Sequence, residues 1–81
     1  MRRRTIAPLT QKQWRSEYKE LLQDRKGKAS KLSFINKELE KARAERKRGY
    51  TKSSPFSKAG FARNSKNKIA VLQSYQKDLS C

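Results

Sequence analysis

The run Lys41-Ala42-Arg43-Ala44-Glu45-Arg46-Lys47-Arg48 holds the side chains of this sequence best suited to chemistry. That chemistry is the binding of phosphate. A guanidinium can fork two N–H donors onto phosphate oxygens, and a helix presents successive forks at fixed spacing. On a helical wheel Lys37, Lys41 and Arg48 fall opposite an apolar seam of Leu32, Ile35, Leu39 and Ala42. One face can then pack while the other meets phosphates. The bland alternative is a solvated helix kept soluble by its charge, which is the usual meaning of an isolated basic run.

A second group lies further along. Tyr50, Phe56 and Phe61 are spaced among Lys52, Lys58 and Arg63, with Lys66 and Lys68 following. Aromatic faces stack on unpaired bases while cations hold the backbone. That combination favours RNA or single strands over a plain duplex. The competing explanation is that these rings fold back to cap a small core. Arg2, Arg3 and Arg4 form a third group, a basic arm of the kind that enters a groove or lies along phosphates. They also suit a nuclear-import patch, as does Lys47-Arg48.

Other chemistries lack their residues. There is no histidine, so the commonest general base is absent. Cys81 is the single cysteine and has no base or metal-ligand partner in view. The three glycines are isolated, so no phosphate-cradling loop is present. The expectation is a protein that is not an enzyme and uses neither cofactor nor metal.

The charge pattern gives the binding groups their weight. The net charge is +15 over 81 residues. Residues 1–16 carry five cations and no acid, residues 17–45 carry eight cations and six acids, and residues 46–81 carry nine cations and only Asp78. A nearly balanced centre is flanked by stretches that would meet a polyanion, and nucleic acid is the commonest one in a cell.

The elements that must position these groups are helical. Thr10 and Gln13 have capping-box spacing, with Leu9 and Trp14 placed for a hydrophobic staple. They open a helix over 11–26 whose apolar stripe is Trp14, Tyr18, Leu21 and Leu22, closed by Gly27. Ser30 is placed to cap a second helix to residue 48, stopped by Gly49, with Leu32, Ile35, Leu39 and Ala42 as its seam. Glu38–Lys41, Glu40–Arg43 and Glu45–Arg48 support it at i, i+3. The expected fold is all-α: a basic arm over 1–9, a helical hairpin over 10–26 and 30–48, and an irregular linker over 49–65. A short C-terminal helix follows within 66–81, capped by Ser65. Fourteen Leu, Ile, Val and Phe residues make only a thin core.

The expected function is binding of nucleic acid, RNA ahead of DNA, through phosphate contacts with little base readout. An architectural subunit of a ribonucleoprotein or a viral or phage RNA-binding regulator would fit. One alternative is a helical adaptor pairing with a protein partner or a second copy through the Leu32–Ala42 seam. Another is a helix-turn-helix DNA reader. No apolar run approaches the roughly 20 residues of a membrane span, and Met1-Arg2-Arg3-Arg4 is not followed by the apolar stretch of a secretory signal. The lone cysteine favours a reducing, intracellular compartment, cytoplasm or nucleus if the source is eukaryotic or viral.

Overall fold

The structure, a computed structural model, describes residues 6–80. Among them are three helices and no strand: α1 (Gln11–Gln23), α2 (Lys28–Arg48) and α3 (Lys58–Ser80). The all-α expectation holds. Arg2, Arg3, Arg4 and Cys81 lie outside the described residues.

α1 begins where its capping box places it. The Gln13 N–H donates to Thr10 Oγ1 at 3.2 Å, and the Thr10 N–H donates to Gln13 Oε1 at 2.8 Å. The helix stops at Gln23, three residues short of the expected end, so Arg25 and Lys26 fall beyond its last turn. Beyond the Asp24 C-cap the chain turns back, and Arg25 and Tyr18 both reach Phe34. The Arg25 guanidinium lies 4.1 Å from the centre of that ring, and Tyr18 meets it edge-on at 6.4 Å. Gly27 is the N-cap of α2, at φ +85°, a backbone region that glycine enters without cost. Ser30, expected as that cap, lies inside the helix.

The largest departure is α3. It starts at Lys58, not near residue 66, so the irregular segment shrinks to residues 49–57. Ser57 takes the capping role expected of Ser65. Its Oγ accepts from the Gly60 N–H at 3.1 Å, and its carbonyl accepts from the Phe61 N–H at 2.7 Å. Ser65 is instead buried in the helix interior. Expected as a short addition, α3 is the longest helix and packs along both others.

α3 runs antiparallel to α2 and parallel to α1. Gln76 Nε2 donates to Asn36 Oδ1 at 2.7 Å, while Ala42 shares a groove with Phe61 and Ser65. Along α1, Trp14 meets Asn64, Arg15 meets Ser74, and Leu22 lies near Leu79. The core is Tyr18 and Leu22 from α1, Ile35, Leu39 and Ala42 from α2, and Ile69, Val71 and Leu72 from α3. The i, i+4, i+7 seam of α2 is thus covered within the chain. Leu32, at its start, is only half-buried. Leu21 is exposed, contrary to its expected core place, because Leu22 takes the inward position at that turn.

Trp14 is also less buried than expected and packs at the core's edge. Its ring stacks on Tyr18 at 5.7 Å. Burial raises the Tyr18 phenol well above its ordinary pKa, and the carboxylates of Glu38, Glu45 and Glu17 push the same way.

Candidate functional site

The body measures 47 × 22 × 16 Å, long enough for its two ends to differ. One end is built from the last turns of α2, the 49–57 segment and the first turns of α3. From Arg43 to Lys68 the sequence holds nine cations and a single acid, Glu45. Antiparallel packing folds this stretch back on itself, so the basic run of α2 and the basic start of α3 lie side by side. These were separate groups in the sequence.

Arg43, Arg46, Lys47 and Arg48 are exposed on α2, Lys52 on the connecting segment, and Lys58, Arg63 and Lys66 on α3. Lys68 is half-buried, with its ammonium 5.2 Å from the centre of the Trp14 ring. Lys37 and Lys41 are exposed on α2. Lys37 is set apart from this end, eleven residues before Arg48 and therefore about 16 Å away along the helix.

A cavity of about 280 Å³ opens at this end. Ala42, Glu45 and Arg48 form its α2 wall. Phe61, Asn64, Ser65 and Lys68 form its α3 wall, and Thr51, Ser53, Ser54 and Phe56 close the third side. Arg48 is exposed on the rim of the groove. It stays opposite the Leu32–Ala42 seam on the wheel, and the cavity reaches it at the last turn of α2, where the 49–57 segment begins.

The third side is braced. Thr51 Oγ1 and Ser53 Oγ lie 2.9 Å apart in a hydrogen bond, and the Phe56 N–H donates to Ser54 Oγ at 3.2 Å. The Ile6 N–H donates to the Pro55 carbonyl at 2.9 Å, which ties the N-terminal segment to this wall. Gly60 is buried, and a Cβ there would lie 3.7 Å from Pro8 and 3.0 Å from Ser57 Oγ. Its missing side chain lets these segments close on α3.

Asn64 organises the floor. It is buried, and its Oδ1 accepts from the Leu9 N–H at 3.1 Å and from Trp14 Nε1 at 3.2 Å. One turn on, Asn67 Nδ2 donates to the Leu9 carbonyl at 2.9 Å. Two asparagines therefore hold the N-terminal strap against α3.

Of the candidate stacking rings, Phe56 and Phe61 line the cavity and are half-buried. Tyr50 is exposed and meets Phe61 edge-on at 6.1 Å. Sequence reasoning missed Asn64 and the hydroxyls of 51–54, and gave Ser65 a capping role instead of a place on this wall. The abundance of Ser and Thr in this segment was the only available signal, and it indicated a linker.

Among the described residues no group of carboxylates, histidines or cysteines could hold a metal ion, and no helix is long and apolar enough to cross a membrane. No family model matches this chain, and neither the curated proteins nor the solved structures contain a match.

Proposed function

We propose that this chain binds nucleic acid, RNA ahead of DNA, through phosphate contacts made at its basic end. The observation carrying this reading is that antiparallel α2 and α3 set the cations of 43–48 beside those of 58–68, with Glu45 the single acid in residues 43–68. Such a surface raises the local concentration of a polyanion and positions it without reading sequence. Arg46, Lys47 and Arg48 lie beyond Ala42, the last buried residue of α2, so they contribute little to packing.

The adaptor alternative is less well supported, because Ile35, Leu39 and Ala42 are already buried. A helix-turn-helix reading needs α2 in a major groove, and nothing beyond its polar outer face favours that.

The experiment is a salt titration of affinity for generic RNA. Phosphate neutralisation by about six to eight side chains gives a log–log slope of roughly −4 to −7. Changing Arg46, Lys47 and Arg48 together to Gln keeps good helix formers in place. Helicity should be unchanged, affinity about tenfold lower or more, and the slope shallower by about two to three. A slope near zero with tight binding would overturn the proposal.

A further inference from the structure

We infer that the cavity between α2, the 49–57 segment and α3 receives one unpaired nucleotide of a single strand. Its phosphate would lie against Arg48 and Lys68, and its base against Phe61 and Phe56. This rests on the nucleic-acid reading above and adds a base-accepting site to it.

Three observations carry the inference. The first is composition. A nucleotide joins an anion to a flat π-system, and the walls pair two cations with two phenyl rings. The second is size. About 280 Å³ lies near the lower end of small-ligand sites, roughly 300 Å³ and upward, so one nucleotide unit is the scale of occupant that fits. The third is rigidity. Phe56 follows a hydrogen-bonded turn and Phe61 sits in the capped first turn of α3. Rings held in place lose little freedom on stacking.

Glu45 is the one acid on the wall. It repels a phosphate and accepts hydrogen bonds, so a base edge carrying an amino group is the part of a nucleotide it suits. A base paired within a duplex cannot enter such a site without being extruded. The cavity therefore makes the protein prefer unpaired strands, which surface charge alone would not do.

The test measures the full chain by fluorescence anisotropy against a short unstructured RNA and the same strand annealed to its complement. Phe61→Leu keeps an apolar helix former and removes the π-face. It should weaken the single strand by about fivefold or more, the loss of one stacked base, and leave the duplex nearly unchanged. Equal effects on both, or none on either, would overturn the nucleotide site while leaving phosphate binding intact. A parent protein that bound neither strand would overturn the proposed function itself.

Phe61→Leu could lower helical circular dichroism. The parent is therefore also titrated with adenosine monophosphate and, separately, with ribose 5-phosphate, followed by amide chemical shifts. The nucleotide should bind several-fold more tightly, with shifts centred on residues 51–56 and 61–68. Equal affinity for the two, or shifts elsewhere, would overturn the site.

Discussion

Asn64 offers the sharpest perturbation of the fold. Leu has the same branched heavy-atom skeleton, so Asn64→Leu removes the acceptor while keeping the shape of the side chain. Two donors lose their partner: the Leu9 N–H at 3.1 Å and the Trp14 indole N–H at 3.2 Å. A fully buried donor left unsatisfied costs about 1–3 kcal/mol. Leu9 and Trp14 are half-buried, so water can partly replace the lost oxygen and each cost falls near the lower bound. Leu is also a better helix former than Asn by a few tenths of a kcal/mol. The net loss should be about 1.5–2 kcal/mol, which lowers the melting temperature by roughly 6–16 °C in a domain of this size. At about 0.05–0.15 kcal/mol per residue the variant still folds at room temperature. Thermal melts followed by circular dichroism measure the loss. Hydrogen exchange locates it: the Leu9 amide should exchange much faster, while the Leu39 amide speeds up only by the global loss and keeps its place in the protection order. Asn64→Asp, which keeps an accepting oxygen, should lose less than half as much. A Leu variant that melts with the parent would refute the strap, and with it the bracing of the cavity's third wall.

Adjacent leucines should respond oppositely. Leu22→Ala should cost about 2–5 kcal/mol, because Leu22 is 6% exposed, whereas Leu21→Ala, at 45% exposure, should stay within about 0.5 kcal/mol in chemical denaturation. Ser57→Ala should cost about 0.5–2 kcal/mol and speed exchange of the Gly60 amide, since it removes the acceptor that caps α3. The pH response of Tyr18 has a definite sign. Its folded pKa is raised by burial and then by Glu38, Glu45 and Glu17, so the stability it contributes is full below its ordinary value near 10 and is lost as pH climbs above it. Tyr18→Phe should therefore gain on the parent between about pH 9 and pH 11 in parallel melts. A constant difference across that range would show that the phenol ionises as freely in the folded chain as in the unfolded one.

Much of the helical organisation was legible from local rules. The Thr10–Gln13 box acts over three residues and forms as its spacing implies. The 3-4-3 seam of α2 carries its own period, and Ile35, Leu39 and Ala42 are buried along it. Gly49 ends that helix as expected, at positive φ, whereas Gly27, read as the stop of α1, is the N-cap of α2. The concentration of cations in residues 41–48 and 58–68 was visible in the sequence. Tertiary structure decided what the α3 half of the chain does. The inward face of its first turns is Gly60, Phe61, Asn64, Ser65 and Lys68, which apart from Phe61 is small or polar and has no hydrophobic period to detect. Those residues are inward because the Leu9 backbone, the Trp14 indole and the Pro8 ring supply neighbours from fifty or more positions away. A buried asparagine is favourable only when such partners exist, and a glycine in a helix only when another segment must approach closely. Local sequence can state neither condition. It likewise made separate groups of Arg48 and Lys68, and only the antiparallel pairing of α2 with α3 put both on the walls of one cavity.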